Sequence, residues 1–202
     1  MVTPEPKSQP VGASRTVPSG QLPSVRVDEA RTKLVALLQL AHSGELAASF
    51  AYTGHAASVK NPVERTRIES IKAEEIDHRA RVRAMMDTLG VEPDAKRERR
   101  LRRIGKTISA FCRVGGWFGP MYGAARLERK NIGEYERAAG YAVDAGYPEF
   151  LDDLIDMSEV EWEHEKFFRE KCESHWLWKV FPNWPAPPPK DDIRAGVLAA
   201  TQ

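Results

Sequence analysis

Four glutamates interrupt apolar stripes that would otherwise read as the buried faces of helices. Read in steps of three and four residues, four segments between about residues 28 and 172 each show a stripe typical of a core-facing helix. Each stripe carries one glutamate near its middle, and these are Glu45, Glu75, Glu128 and Glu161. An ionised carboxylate in a dry core costs several kcal/mol unless its charge is compensated. Four such residues, one per helix, require a shared explanation.

The helical pattern predicts an all-α four-helix bundle. The predicted helices cover residues 28–58, 62–90, 105–145 and 148–172, with a kink or break in the third near residues 115–120. Asn61 is the predicted N-cap of the second helix, Pro62 its first residue and Gly90 its stop. No stretch alternates as a strand would, and one long crossover, residues 92–106, joins the two helical hairpins.

The rise per residue of an α-helix places the glutamates of each hairpin at similar distances from the turn that joins its two helices. At 1.5 Å per residue, Glu45 lies about 24 Å before the first turn and Glu75 about 21 Å after it. The same arithmetic puts Glu128 and Glu161 about 27 and 20 Å from the turn between the third and fourth helices. Antiparallel pairing within each hairpin therefore brings its two glutamates to one level.

Histidines accompany two of these glutamates. His78 and His164 follow Glu75 and Glu161 by three residues, so each pair points the same way from its helix and can hold one metal ion. Four glutamates and two histidines form the ligand pattern of ferritin-like di-iron or di-manganese bundles. Two divalent ions would neutralise the four carboxylates. The predicted ligands are Glu45, Glu75, His78, Glu128, Glu161 and His164, with two iron ions preferred and manganese left open.

Several neighbours of these residues have open interpretations. Tyr52 and Tyr135 each follow a predicted ligand by seven residues, which suits core packing or a hydrogen-bond or electron-relay role beside the metals. We count Tyr135 among the candidate catalytic residues. His42 either hydrogen-bonds a ligand or is a satisfied core residue, and His55 is expected to be structural or at the surface.

Other glutamates lie near the stripes. Glu134 is either a surface residue or a substitute ligand for Glu128. Five glutamates off the stripes are expected to be solvated, namely Glu74, Glu136, Glu159, Glu163 and Glu165.

Composition limits the classes of partner and compartment. Among 202 residues, 30 basic and 29 acidic side chains give a net charge of +1, so no nucleic-acid partner is expected. Two cysteines favour a reducing, cytoplasmic compartment. We expect no membrane-spanning segment, since the longest apolar candidate, residues 108–125, is interrupted by Arg113, four glycines and Pro120. The start of the chain shows no signal-peptide pattern.

The ends of the chain differ in composition from its centre. Residues 1–25 are rich in Pro, Ser and Gly and are expected to form a disordered tail. Residues 26–180 are the predicted bundle. Residues 181–202, with tryptophan and a proline run, are expected to form an extended surface segment.

The motifs resemble those of the demethoxyubiquinone hydroxylases, di-iron monooxygenases of ubiquinone biosynthesis. The resemblance covers residues 33–168 and rests on His42-Ser43-Gly44-Glu45, Glu75-Ile76-Asp77-His78, Glu128 with Tyr135, and Glu161-Trp162-Glu163-His164. It implies that the six predicted ligands bind two irons, that O2 is activated, and that a lipophilic quinone or quinol ring is hydroxylated with electrons from a donor. It also implies that residues 99–125 form a membrane-facing region of quinone access, which would place the cytoplasmic protein on the inner face of the membrane. The basic and apolar residues there suit contact with anionic lipid, and the alternative is a solvated basic face next to an ordinary buried helix.

Some positions depart from the family pattern. Gln39, Ala41, Arg129 and Glu134 replace residues usual in the family, although the ligands are spared. The departures leave three alternatives open: a ferritin-like oxidase, peroxidase or iron-handling protein, a di-iron hydroxylase of another lipid or nucleoside, and a non-catalytic helical adaptor. A homo-oligomer is also compatible with the sequence.

Overall fold

The fold is a helical bundle with one additional helix packed along its side and another at its C-terminal end. A computed structural model describes residues 22–201, with side chains from residue 25 onward. The helices in this range are α1 (Leu22–Ser58), α2 (Pro62–Thr88), α3 (Ala95–Cys112), α4 (Phe118–Asp144), α5 (Leu151–Glu173) and α6 (Lys190–Ala200). Residues 22–201 contain no strand, which confirms the all-α prediction.

Local signals set the ends of α2 as the sequence predicts. The Asn61 side chain caps the helix by accepting a hydrogen bond from the Val63 amide at 2.9 Å, and Pro62 occupies the first position. After the last turn, Gly90 adopts φ 67°, a left-handed conformation that glycine takes without strain. The turn between α1 and α2 is short, so the two helices are antiparallel neighbours.

The predicted crossover and third helix differ from the structure. The basic stretch expected in the connection forms α3, which Asp94 caps by accepting from the amides of Lys96 and Arg97. The break expected near residues 115–120 separates α3 from α4, and Gly116 there has φ 72°. Among the residues of α3 only Gly105 and Cys112 are buried, so no apolar stripe marks this helix in the sequence.

Two glycines allow α3 to lie directly against α1. A Cβ on Gly54 would come within 2.1 Å of the Ser109 carbonyl oxygen. A Cβ on Gly105 would come within 2.4 Å of the Ala47 carbonyl oxygen. The two helix backbones therefore touch at both positions, which fixes α3 alongside α1 beside the groove between α1 and α4.

Two apolar layers fill the bundle, with a gap between them. One layer contains Leu34, Leu38, Val82, Met86, Tyr135 and Leu154, and the other contains Tyr52, Ile68, Ile71, Met121 and Phe168. Along α1, α2, α4 and α5 the predicted metal ligands fall between the positions that belong to these layers. The ligands therefore form a polar layer enclosed by apolar side chains.

The ends of the described chain differ from the expectation of extended tails. Residues 22–25, expected in the N-terminal tail, lie in α1, while residues 1–21 of that tail lie outside the described residues. Residues 190–200 form α6, with Ile193 and Val197 buried. Arg194 holds α6 to α5 through Asp156 at 2.6 Å and Glu159 at 3.0 Å. The division of the chain into a tail, a bundle and an extension stays a prediction.

One helix segment differs from the prediction that the chain has no membrane-spanning stretch. By length and composition alone, the helix segment Val25–Ser58 is long and apolar enough to cross a membrane, so the expectation of no such stretch was wrong. This segment lies in α1, which packs against α2, α3 and α4 and carries buried Glu45. A central helix of a bundle passes the same test, because its alanines and leucines face other helices.

Candidate metal centre

The structure brings all six predicted ligands together in the polar layer. They form two overlapping groups, in each of which one ligand atom per residue lies within 4.8 Å of the others. The first group is Glu45, Glu75, His78 and Glu161, and the second is Glu75, Glu128, Glu161 and His164. All six side chains are buried. Such groups could each hold a metal ion, although the role of these residues as ligands stays a prediction.

Glu75 and Glu161 belong to both groups and point one oxygen at each histidine. His78 Nδ1 lies 3.2 Å from Glu161 Oε1 and 3.9 Å from Glu75 Oε2. His164 Nδ1 lies 3.2 Å from Glu75 Oε1 and 3.6 Å from Glu161 Oε2. A carboxylate with its two oxygens directed this way can bridge two ions, and the remaining residues of each group would be terminal ligands.

Unpartnered polar atoms concentrate at this centre. Of the seven buried side-chain atoms without a hydrogen-bond partner among the described residues, five belong to it. These are Glu45 Oε2, both Glu75 oxygens, Glu161 Oε2 and His164 Nδ1. An unsatisfied buried polar group costs about 1–3 kcal/mol. Five such atoms in one place are therefore expected only where a bound ion or molecule contacts them. The donor set of carboxylate oxygens and imidazole nitrogens fits divalent transition metals.

Burial and mutual repulsion perturb the carboxylates. Burial, reinforced by the neighbouring Glu75 and Glu161 carboxylates respectively, raises the pKa of Glu45 and of Glu128 well above the ordinary range. Burial also acts to raise the pKa of Glu161, but hydrogen bonds from the two histidines outweigh it and lower that pKa. The raised pKa values mean that this layer holds more negative charge than its surroundings neutralise. Bound metal ions would supply the missing positive charge.

Tyrosine hydroxyls hold the two terminal carboxylates. Tyr135 donates to Glu45 Oε1 at 2.6 Å, and Tyr52 donates to Glu128 Oε1. Asn131 Nδ2 donates to the second oxygen of Glu128 at 2.9 Å. These contacts favour the hydrogen-bonding interpretation of both tyrosines over simple packing. A catalytic role of Tyr135 stays a prediction.

The expectation that Glu74 is solvated was wrong. Its Oε2 lies 2.5 Å from His164 Nε2, and its carboxylate also accepts from Arg67 at 2.9 Å and from Ser70 at 3.0 Å. The hydrogen bond from His164 is the main cause that lowers the pKa of Glu74 to about 2. Sequence reasoning missed this residue because it lies off the apolar stripe of α2, and its position beside Glu75 was the available signal.

Other off-stripe glutamates are also engaged. Glu165 is fully buried and accepts hydrogen bonds from Arg169 at 3.1 Å and Trp184 at 2.9 Å, contrary to expectation. Glu163 pairs with Lys190 at 3.0 Å at the surface. Glu134 forms an ion pair with Lys130 at 2.7 Å and lies outside both metal-ligating groups, so the geometry favours Glu128 over Glu134 as a ligand.

Two further histidines do not contact the metal-ligating groups. His42 Nδ1 lies 2.8 Å from Glu98 Oε1, and Arg79 binds the other oxygen of Glu98 at 2.9 Å, so His42 links α1 to α3 rather than bonding a ligand. His55 is buried against Tyr52 and Phe168, and burial lowers its pKa to about 4. His55 is thus structural, as expected.

Two cavities lie in the groove between α1, α3 and α4. The larger, about 500 Å³, is almost wholly apolar and has Tyr52 in its wall. The smaller, about 180 Å³, has Glu45 and Tyr135 in its wall. They share Ala48, Ile108 and Leu127, so they lie end to end beside the metal-ligating groups. An apolar molecule with one polar ring would fit such a pair.

Comparison with known proteins supports the resemblance over the first part of the chain. The model of the family described as "Ubiquinone biosynthesis protein COQ7" matches residues 32–117. A 3-demethoxyubiquinol 3-hydroxylase of Variovorax paradoxus (strain S110) is 38% identical over 82 residues, which are 40% of this chain and 39% of that protein. The enzyme of the same name from Pseudomonas putida (strain W619) is 37% identical over 81 residues, 40% of this chain and 38% of the relative. No solved structure matches the chain.

The matched region holds half of the predicted ligands. It contains Glu45, Glu75 and His78, which lie on α1 and α2, and it ends before α4 begins. The chain therefore matches about two fifths of the length of these relatives. Similarity to the demethoxyubiquinone hydroxylases is confirmed over this region. The other three predicted ligands lie outside the matched region. Only their position in the polar layer relates them to the ligands inside it.

Proposed function

We propose that this chain is an O2-dependent di-iron monooxygenase that hydroxylates a lipophilic ring, most specifically a demethoxyubiquinol-type substrate of ubiquinone biosynthesis. The observation that carries the proposal is the pair of overlapping ligand groups sharing Glu75 and Glu161, placed beside an apolar cavity. The names of the relatives supply the substrate class.

The donor set supports iron as the resident metal. Glu45 and His78 would be terminal ligands of one ion, and Glu128 and His164 of the other. Four carboxylates and two imidazoles suit iron or manganese. When bound, iron would supply the redox chemistry by which O2 oxidises a C–H bond, with electrons from a reductase or from a substrate quinol.

The protein's own part is to hold ligands and exclude water. Tyr135 and Tyr52 orient the terminal carboxylates, while Glu74 fixes the ring of His164. The apolar layers on both sides keep bulk water from the ligands. The larger cavity would accept the hydrocarbon part of the substrate, because its wall offers almost no hydrogen-bonding group.

We also propose that α3 lies on an anionic membrane surface at its cytoplasmic side. Phe111 in α3 and Val114 just after it are 65% and 80% exposed, and Ile104 and Ile108 of α3 are also exposed. The same helix carries a run of arginines, residues 99–103, which suits contact with anionic lipid. Ile108 and Phe111 also line the larger cavity, so a substrate dissolved in the bilayer would enter there.

Vesicle co-sedimentation tests the membrane proposal. The chain should bind vesicles that contain phosphatidylglycerol and bind less to vesicles of phosphatidylcholine alone. The double substitution Phe111→Ser and Val114→Ser should lower binding at least severalfold, since both side chains are exposed apolar groups. Equal binding by the double variant would contradict a role for this surface.

Metal analysis followed by a product assay tests the enzyme proposal. The purified protein should contain about two irons per chain. Glu161→Ala should lose both ions, because Glu161 belongs to both groups. Glu163→Ala, on the same helix at the surface, is the matched control and should keep them. With O2 and a reductant, the iron-loaded protein should hydroxylate a short-chain demethoxyubiquinol.

Each other outcome has a definite meaning. Two manganese ions would keep the site and contradict the iron assignment. Oxidation of added Fe²⁺ without an organic product would favour the ferritin-like oxidase alternative. Absence of metal after anaerobic loading with Fe²⁺ would contradict the proposal and favour an adaptor.

A further inference from the structure

The smaller cavity has a polar wall that the metal-ligating groups do not account for. Glu134 and Lys130 line it together with Glu45, Asn131 and Tyr135. The rest of its wall is apolar. Glu134 and Lys130 form an ion pair of 2.7 Å, in which the Glu134 side chain is only 16% exposed and that of Lys130 is 61% exposed. The carboxylate thus lies toward the cavity, and its counter-ion lies toward solvent.

The size of this cavity restricts what it can hold. Its volume of about 180 Å³, against about 500 Å³ for the larger cavity, suits a small group such as one six-membered ring with small substituents. The adjoining larger cavity continues past Ala48, Ile108 and Leu127 with an apolar wall. A ring in the small cavity could therefore carry a hydrocarbon tail into the large one.

The donors that line the small cavity already have partners, whereas Glu134 keeps an acceptor oxygen. The Tyr135 hydroxyl hydrogen is committed to Glu45, and the Asn131 amide donates to Glu128. Glu134 pairs with Lys130 through Oε1, which leaves Oε2 as an acceptor. Such a wall suits a ring that brings its own O–H donors, as a hydroquinone does and a quinone does not.

We infer that Glu134 is a specificity-determining residue that accepts a hydrogen bond from a ring hydroxyl and so selects the reduced, hydroxyl-bearing form of the substrate. The inference rests on the proposed function, because that function supplies the ring. Lys130 keeps the carboxylate in place at the rim of the cavity. A hydrogen bond to a charged acceptor is strong enough to discriminate the two forms by about tenfold or more.

Direct binding of two probes tests the inference. The probes are a tail-free methoxy-methyl-hydroquinone and the corresponding quinone, titrated by calorimetry under argon. The full chain is loaded with Zn²⁺ so that neither probe is consumed. The wild-type protein should bind the hydroquinone about tenfold more tightly than the quinone. Glu134→Gln should reduce this preference to within about twofold, mainly by weakening binding of the hydroquinone.

Two further variants separate this role from a general effect of charge. Glu136→Gln removes a carboxyl group from the same helix, but Glu136 lines a different cavity, so the preference should stay at the wild-type value. Lys130→Met removes the ion pair that holds the Glu134 carboxylate, so the preference should fall below the wild-type value although the acceptor itself remains. An unchanged preference in Glu134→Gln, or an equal loss in Glu136→Gln, would overturn the inference. So would a wild-type protein that binds both probes equally or binds neither.

The inference and the proposed function can fail separately. Hydroquinone selectivity that depends on Glu134, in a chain that yields no hydroxylated product with iron and O2, would support the inference and contradict the enzyme proposal. Product formation without any effect of Glu134→Gln on the preference would do the opposite.

Discussion

The carboxylate of Glu74 lies 2.5 Å from Nε2 of His164, although 90 residues separate them in the sequence. The hydrogen bond joins α2 to α5 and places the hydrogen of the imidazole on Nε2. His164 Nδ1 then faces Glu75 and Glu161, as a metal ligand must. Arg67 in turn holds Glu74 at 2.9 Å, so a chain of contacts from the surface sets the orientation of the ring.

Substitution of Glu74 should weaken metal binding without removing a ligand. Partners of metal-bound histidines typically contribute 10- to 100-fold in affinity, so we expect Glu74→Gln to lower affinity for Fe²⁺ or Zn²⁺ by about that factor. Competition with a chelator measures the change. Glu69→Gln, an exposed position on the same helix, is the control and should bind metal normally. Wild-type affinity in Glu74→Gln would show that the contact does not position His164.

Removal of metal should lower thermal stability. Without ions, four carboxylates are enclosed between apolar layers with several oxygens unpaired. At a free-metal concentration 100 times the dissociation constant, binding adds about 2.7 kcal/mol to the free energy of unfolding. For a chain of this length, that corresponds to roughly 5–10 °C in Tm. Calorimetry with and without Zn²⁺ measures it.

Glu161→Ala is the informative comparison for that experiment. Because Glu161 takes part in both groups, its loss should abolish the effect of metal on Tm. An equal increase in this variant would place the binding elsewhere on the protein.

Gly54 should be intolerant of even one added carbon. A Cβ there would lie 2.1 Å from the Ser109 carbonyl oxygen, so α3 would have to move away from α1. We expect Gly54→Ala to reduce the free energy of unfolding by about 1–3 kcal/mol. Gly140→Ala in α4, where a Cβ meets nothing within 4 Å, should instead stabilise by up to about 1 kcal/mol. Urea unfolding of both variants distinguishes local crowding from helix propensity.

His55 should make stability fall as the solution becomes acidic. Burial lowers its pKa in the folded protein to about 4, whereas in the unfolded chain a histidine titrates near its ordinary pKa of 6.5. The unfolded state therefore binds the proton first as pH falls below 6.5, and stability is lost progressively down to pH 4. At pH 5 this loss amounts to about 2 kcal/mol. Urea unfolding of the wild-type protein and of His55→Leu at pH 7 and pH 5 measures it.

The variant isolates the contribution of this histidine from that of other titrating groups. His55→Leu should lose less stability on acidification than the wild-type protein, because leucine takes up no proton. The same loss in both proteins would mean that His55 does not titrate between those pH values.

The positions of Glu75 and His78 follow from sequence, whereas that of Glu74 does not. The first two share the apolar stripe of α2, and a three-residue step on one helix fixes their common direction. Glu74 lies off that stripe, and its partner His164 comes from another helix. A contact between helices depends on their packing, which helical periodicity alone does not provide.

Helix α3 illustrates a second limit of the sequence. Most of this helix was predicted as a connection, because the side that packs on α1 is marked only by small residues such as Gly105. Because the contact is between helix backbones, no apolar stripe in the sequence predicts it. The same contact sets the positions of Ile108 and Phe111 in the cavity wall, and for that reason the cavity could not be inferred from the residues alone.

The two shared glutamates stand on opposite hairpins, Glu75 on the α1–α2 pair and Glu161 on the α4–α5 pair. Each ligand group draws on both hairpins, so a bound ion would act as a non-covalent cross-link between two halves of the chain. As with a disulfide, such a link restricts the separation of the parts it joins. Occupancy of the centre would therefore determine whether the hairpins open independently or as one unit, which amide hydrogen exchange would detect.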